Sequence, residues 1–356
     1  MNQLQMKGKN VLIDGRLLSL SNTGISRYTN EIIKGAIDFW GKDNITVILL
    51  PEMINHVDFN HIETKYKPFN LFHFFCFHKF LKKQTFDLLI TPFYANSFYK
   101  ISRKKYVSVV HDLMYCLVPN FFSSNKLINW LGITYYDILV RRSLKNSDAI
   151  ISVSKTTAKD VLKKFNLQSE VFKEGINKIE AKNTSNIDTL TKYGLTEKKY
   201  FIYIGIDRPH KNIEFMCNCF TKSKSDKKLV LCGKHHKNYN NPNIIQLGYI
   251  EDSDLKHLYA NAASFIYPSK YEGFGLPILE ALSLGTKVIS SNAGSLSEFD
   301  SRFIYFFNPY DESSLIKAFD SIDDFTIDDV QLHSYLKQFD WNKISLEIIS
   351  FCNNIH

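Results

Sequence analysis

No uninterrupted apolar run in this sequence approaches the roughly 20 residues that a membrane-spanning helix needs, so a chain threaded through a bilayer by helices is excluded. The opening MNQLQMKGKN runs straight into VLIDG, with no apolar stretch or small-residue cleavage site, and no secretory leader is expected. CxxC is absent. The six cysteines, at 76, 116, 217, 219, 232 and 352, are scattered, which argues against a zinc site or a disulfide framework and fits a reducing cytoplasm. Internal repeats and low-complexity tracts are also lacking. So is any RNP-like aromatic pattern or recognised nucleic-acid motif, which leaves no case for a nucleic-acid partner. What is present is a long, mixed sequence of 356 residues, 44% hydrophobic, 22% charged and rich in Phe and Tyr. At roughly 100–200 residues per domain, that length predicts two domains, each with enough apolar material for a core.

Charge is unevenly spread. Residues 1–180 hold 25 Lys and Arg against 15 Asp and Glu, net +10, whereas residues 181–356 hold 19 against 21, net −2. A basic first half beside a near-neutral second half points to an anionic partner for the first: a phospholipid surface, a phosphorylated substrate or, on charge alone, a nucleic acid.

Short apolar runs alternate with helix-period segments. Strands are predicted at Val11–Ile13, Ile45–Leu50, Phe86–Ile90, Tyr106–Val110 and Ala149–Val153, with helices from Thr23–Gly24 to Ile37, over Asn125–Leu144 and over Lys155–Phe165. The pattern restarts with strands at Tyr200–Ile204, Lys228–Leu231, Ile244–Leu247, Ser264–Ile266 and Lys287–Ser290. Strand–helix alternation implies α/β domains with parallel sheets and helices on both faces. A polar, aperiodic stretch, Gly175–Ser185, reads as the linker between domains 1–180 and 181–356. Two doubly wound domains facing across a cleft is the expected architecture, with functional residues just past the carboxyl ends of strands.

The segment Ser269-Lys-Tyr-Glu272-Gly273-Phe274-Gly275-Leu276-Pro277-Ile-Leu-Glu280 carries the strongest chemical signal. It follows a strand and opens a helix whose first turn accommodates Pro277. Gly273 and Gly275 permit close backbone approach, and the helix start offers N–H groups and a positive dipole end to an anion. Glu272 falls in the loop and Glu280 on the helix, carboxylates suited to hydroxyl groups on either side of a diphosphate.

This stretch resembles the E-x7-E motif of glycosyltransferase family 4, which has the GT-B fold of two Rossmann-like domains. Other segments agree in order: Gly24-Ile25-Ser26-Arg27-Tyr28; Val109-Val110-His111-Asp112-Leu113 followed by Pro119 and Phe122; Ser147–Ser154; Tyr203-Ile204-Gly205-Ile206-Asp207-Arg208-Pro209-His210-Lys211-Asn212; and Gly248-Tyr249-Ile250 with Leu255 to Tyr259. The resemblance is strongest to the branch that assembles bacterial O-antigen and other surface polysaccharides. It implies a retaining transfer of a sugar from a nucleotide-diphosphate-sugar to a lipid-linked saccharide acceptor, with GDP-mannose favoured over a UDP-sugar. It further implies no metal or cofactor and a place at the inner face of the cytoplasmic membrane.

By the same resemblance, the second domain binds donor through Gly205, Arg208, Lys211, Tyr249, Ile250, Glu272, Gly273, Phe274, Gly275, Leu276 and Glu280. Lys211 meets the diphosphate, Glu272 the donor sugar hydroxyls and Glu280 the ribose. Gly24, Arg27 and Asp112 line the acceptor side, and His111, Lys211 and Glu272 form the catalytic set. Many members carry an arginine directly after the loop glycine; here it is Ile206, with Arg208 two residues on. Asp252-Ser253-Asp254 superficially matches a metal-binding DxD, but Asp252 or Ser253 is expected to cap a helix instead.

The aromatic segment Phe69–Lys83, with its lysines gathered at the end, reads equally as an interfacial helix on an anionic membrane or as a core helix. A helix over Trp341–Asn354 is expected to pack back on the first domain. The rival enzyme readings are a GT-B epimerase or phosphorylase, against which Gly24–Tyr28 argues. Ile206 keeps a catalytically inert scaffold in view.

Overall fold

The computed structural model describes residues 9–20, 23–70, 73–177, 187–234 and 237–355, leaving aside the side chains at 74, 75, 187 and 188. The chain divides into two compact units, 1–174 with 341–356 and 175–340. The division falls at Glu174/Gly175, and the last helix belongs to the first unit.

In the first unit the order is β1 (Val11–Asp14), α1 (Gly24–Trp40), β2 (Ile45–Leu49), β3 (His61–Glu63), α2 (His73–Leu81), β4 (Leu88–Thr91), β5 (Lys105–Val110), α3 (Met114–Leu117), α4 (Lys126–Asn146), β6 (Ala149–Ser152), α5 (Lys155–Phe165) and β7 (Glu170–Val171). In the second it is α6 (Ile187–Lys192), β8 (Tyr200–Ile204), α7 (Ile213–Lys222), β9 (Lys228–Cys232), β10 (Ile244–Gly248), α8 (Asp252–Asn261), β11 (Ser264–Tyr267), α9 (Leu276–Ser283), β12 (Lys287–Ser291), β13 (Ile304–Phe307), α10 (Glu312–Ser321) and α11 (Asp329–Leu336). The closing helix, α12 (Trp341–Asn353), returns to the first.

Both sheets are parallel throughout, in orders β3-β2-β1-β4-β5-β6-β7 and β10-β9-β8-β11-β12-β13. Their central strands are covered on both faces, which is why they read as continuous apolar runs. Phe201, Tyr203, Leu229, Leu231, Ile266 and Ile289 are fully buried in the core of the second unit. The strand order reverses between β1 and β4 and again between β8 and β11. At such a point neighbouring connections leave for opposite faces of the sheet and open a crevice at the strands' carboxyl ends.

Three strands absent from the sequence reading, β3, β7 and β13, all lie at sheet edges. β3 and β7 are short and largely exposed, so they carry no apolar run to betray them. The segment Phe69–Lys83 forms the helix His73–Leu81, whose Phe77 and Leu81 are fully buried against Leu12, Ile48 and Phe86. Its described part therefore serves the core, in place of the interfacial alternative. Leu71, Phe72 and the side chains of Phe74 and Phe75 lie outside the described residues. Among the described residues no helix is long and apolar enough to cross a membrane.

α12 lies along α1. It buries Trp341, Ile344, Ile348, Ile349 and Cys352, and its end is tied by Lys9 Nζ to the Asn353 carbonyl at 2.6 Å. Gly35 makes the close approach feasible, since a Cβ there would stand 2.7 Å from both Cβ and Oγ of Ser345. At Gly24 a Cβ would meet no described atom within 4 Å. Gly35→Val is therefore expected to destabilise the first unit by about 1–3 kcal/mol through overpacking. Gly24→Ala should leave the thermal midpoint nearly unchanged, and a scan of both variants by circular dichroism checks the contrast.

Candidate active site

In the second unit the loops after β8 and β11 flank the strand-order reversal. After β8 the chain turns at Gly205, whose φ of +152° and closeness to the Tyr203 hydroxyl leave no room for a side chain (a Cβ would lie 2.7 Å from that oxygen). Pro209 then opens a single 3-10 turn ending at Lys211, and Asn212, at φ +57°, takes the left-handed conformation that Asn tolerates before α7 begins. The buried Asn212 amide donates to the Pro309 carbonyl at 3.0 Å, which fixes the turn.

Lys211 points at the loop after β11. Its Nζ donates to Glu272 Oε1 at 2.7 Å and lies 3.4 Å from the Tyr267 hydroxyl. Both members of the ion pair are largely buried. Burial, then Glu272, holds the Tyr267 hydroxyl well above its usual pKa, so it stays protonated. His210, beside them, is pushed down to about 4 by burial and stays neutral near pH 7.

The loop holding Glu272 is pinned from below. Ser295 Oγ is 2.8 Å from the Glu272 carbonyl and 3.1 Å from that of Phe274. Gly275 precedes α9 at φ +117°, and a Cβ there would press on Leu296 at 2.7 Å and Phe299 at 3.1 Å. Pro277 sits in the first turn, where its missing N–H costs nothing. α9 thus opens directly after Glu272-Gly273-Phe274-Gly275, its Ile278 N–H donating to the Gly275 carbonyl at 3.0 Å, with Glu280 half-buried in the second turn.

The loops after β9 and β10 are glycine-bound as well. A Cβ at Gly233 would fall 2.0 Å from the Gly205 carbonyl oxygen, and the Gly233 N–H donates to the Gly248 carbonyl at 2.7 Å. Beyond Gly248, Tyr249 is exposed with Lys234 Nζ 5.5 Å from its ring centre, and Ile250 is buried.

In the first unit His111 follows β5, next to the other strand-order reversal. Its Nε2 donates to the Pro92 carbonyl at 2.9 Å, and its Nδ1 lies 2.8 Å from Glu174 Oε1. Both partners are acceptors, so the buried ring is held as an imidazolium. Burial by itself pushes its pKa down, but the bond and charge of Glu174 and the Pro92 carbonyl outweigh it, and the net shift is upward. Tyr28 meets the ring edge-on at 4.8 Å. Asp112 Oδ1 accepts from the Met114 N–H at 2.8 Å and so opens α3. Gly24 is the first residue of α1, whose Thr23 cap accepts from the Ser26 N–H at 3.3 Å, and Arg27 is half-buried one turn on.

Residues 187–324 match the model for glycosyl transferases group 1, and residues 42–178 match that for Glycosyltransferase Family 4. The chain belongs to this glycosyltransferase group 1/family 4, with the GT-B fold. Among its relatives, O-antigen chain mannosyltransferase B of Escherichia coli is 28% identical over 229 residues, 58% of either chain. O-antigen chain mannosyltransferase RfbU of Salmonella typhimurium is 26% identical over 246 residues, 66% of this chain and 65% of that one. The matched stretches thus span about three-fifths of those relatives' lengths. The crystal structure of Anabaena HepE in complex with UDP aligns over 97% of this chain and 99% of that one, with a TM-score of 0.74 and 16% identity.

Within this family frame, the structure brings Lys211 and Glu272 into contact and sets Gly273, Phe274, Gly275 and Leu276 at the start of α9. Arg208 is exposed, with its carbonyl accepting from the Lys211 N–H, and Ile206, where many members carry arginine, is an exposed aliphatic. The DxD look-alike is corrected in detail: Glu251, without a side-chain bond, precedes α8, so neither Asp252 nor Ser253 is the cap. Asp254 accepts from Lys192 at 2.6 Å and from the Tyr193 hydroxyl at 2.8 Å. Among the described residues no three His, Cys, Asp or Glu side chains gather to hold a metal.

Sequence reasoning missed Glu174, Ser295, Tyr267, His210 and Gly233. Only the last two carried a local signal, His210 beside Lys211 and Gly233 after an apolar strand.

The His111–Glu174 pair makes stability depend on pH. A histidine whose pKa rises on folding adds stability that is complete below its ordinary 6.5 and is lost as pH climbs through the folded value. Glu174→Gln should therefore cost about 1.5–3 kcal/mol near pH ~6 and progressively less at higher pH. Urea denaturation across pH checks this, and a cost independent of pH would contradict the imidazolium assignment.

Proposed function

We propose that this chain is a nucleotide-sugar-dependent hexosyltransferase that moves a mannosyl group from GDP-mannose to a lipid-linked saccharide during surface-polysaccharide assembly. The observation that carries the reading is the Lys211–Glu272 pair at the start of α9, on the carboxyl edge where β8 and β11 diverge. The mannosyl donor and the polysaccharide context rest on the two O-antigen mannosyltransferases among the relatives. HepE was solved with UDP, which makes a uridine donor the competing choice.

The chemistry follows from charge. When a nucleoside diphosphate leaves an anomeric carbon, negative charge grows on phosphate oxygen and positive charge on the sugar. Lys211 is a fixed cation and the first N–H groups of α9 are fixed dipoles, so together they stabilise the departing diphosphate without reorganising. The incoming phosphate competes with Glu272 for Lys211, which frees the carboxylate for sugar hydroxyls. Glu280, in the second turn of α9, is assigned to the ribose and Tyr249 to the base side.

His111 is assigned to the sugar and acceptor side. With both ring nitrogens donating to protein acceptors, its role is a positioned positive charge rather than a base. Gly24, Arg27 and Asp112 complete the acceptor side.

Lys211→Ala should weaken GDP binding by roughly 10–100-fold, the cost of one charge-assisted contact, and Lys211→Arg should not restore turnover, because a planar fork differs from a point charge. Glu280→Ala should weaken GDP but not inorganic pyrophosphate, with the melting temperature unchanged. Calorimetric titration of both ligands, together with release of GDP from GDP-mannose on addition of a polyprenyl-linked acceptor, tests the reading. Selective binding of UDP would move the donor to uridine. Failure to bind any nucleotide would sink the reading.

A further inference from the structure

Tyr267 is the last residue of β11, on the carboxyl edge where the strand order reverses, and it is 2% exposed. Its hydroxyl stands within the Lys211–Glu272 pair. Lys211 Nζ lies 3.4 Å from it, and it shares a hydrogen bond with Glu272. The chemistry of the three groups sets the direction of each bond. An ammonium only donates, an ionised carboxylate only accepts, and a phenol does both. Lys211 therefore donates to the tyrosine oxygen, and the tyrosine proton goes to Glu272.

Burial, followed by the charge of Glu272, keeps that proton on the oxygen. The same two causes, in the same order, hold up the hydroxyl of Tyr203, on the strand paired with β11. The two donors to Glu272 differ in freedom. Lys211 brings its charge on a flexible four-carbon stem. Tyr267 brings its hydroxyl on a ring anchored at a strand end, packed on Phe265 with ring centres 5.5 Å apart.

This difference matters once an anion draws Lys211 away. Glu272 is 7% exposed, and a carboxylate so placed is costly to leave without a donor. Tyr267 is a donor already in place, and it does not compete for the anion as a charge.

We propose that Tyr267 is a positioning residue of the donor site: its hydroxyl stays on Glu272 when Lys211 turns to the diphosphate, and holds the carboxylate in place for the sugar hydroxyls. This role presupposes the nucleotide-sugar donor proposed above and adds to it a residue that acts through Glu272 rather than on the substrate.

Tyr267→Phe removes one oxygen and keeps the packed ring. In the full chain it should weaken GDP binding about tenfold, the scale of one hydrogen bond to a charged group. The melting temperature by circular dichroism should stay unchanged. The same substitution should cost nothing in a Glu272→Ala background and less in Glu272→Gln, which keeps the shape and drops the charge. Calorimetric titration of GDP into the parent, the single variants and the two double variants closes the cycle. A residue that only holds the fold, or that touches the diphosphate itself, would cost the same with or without the carboxylate. Equal losses in all backgrounds, or no loss in Tyr267→Phe alone, would overturn the role of Tyr267 and leave the donor reading standing. A parent chain that binds neither GDP nor UDP would overturn both.

Discussion

The contact between Lys211 and Glu272 is the constraint around which the second unit's site is arranged. It joins residues 61 apart in sequence, one from each loop that leaves the sheet where its strand order reverses. Each loop reaches that contact only through a conformation few residues allow. On one side stand Gly205 and Asn212, both at positive φ, and on the other Gly275, with no space for a Cβ. Two largely buried opposite charges at 2.7 Å neutralise one another, and an anion entering beside them exchanges one partner of the lysine for another. On the proposed function, the site trades an internal carboxylate for an external diphosphate, with the α9 N-terminus supplying the rest of the positive field.

The first unit uses a related device. His111 and Glu174 are 63 residues apart, and their bond ties the end of β5 to the last residue of that unit before the chain passes on. The Pro92 carbonyl occupies the other ring nitrogen and Tyr28 packs against the ring, so the histidine is held in one orientation with its charged form favoured. Trp341 of α12 also packs on Tyr28, ring centres 5.3 Å apart. The returning helix therefore supports the same cluster that positions the histidine.

Much of this was legible in the sequence, for physical reasons. Central parallel strands such as Tyr200–Ile204 are apolar on both faces and announce themselves, and Lys155–Phe165 shows its helical period. Edge strands such as Glu170–Val171 bury little and were silent. Lys211 and Glu272 stood out because each follows a strand within a glycine- or proline-marked loop. Glu174 and Ser295 did not, because a partner fixed across sixty residues, or a hydroxyl bonding carbonyls of a neighbouring loop, has no linear pattern. The aromatic segment near Phe77 left two readings open for the converse reason: composition alone does not tell a buried aromatic helix from an interfacial one, and its burial decided between them.

The most direct measurement of the central claim is amide hydrogen exchange with and without GDP-mannose. Exchange should slow in the peptides spanning 203–212, 248–250 and 269–280, and the slowing should vanish in Lys211→Ala. Protection confined to residues outside 175–340, or none at saturating nucleotide, would contradict a donor site organised by Lys211 and Glu272.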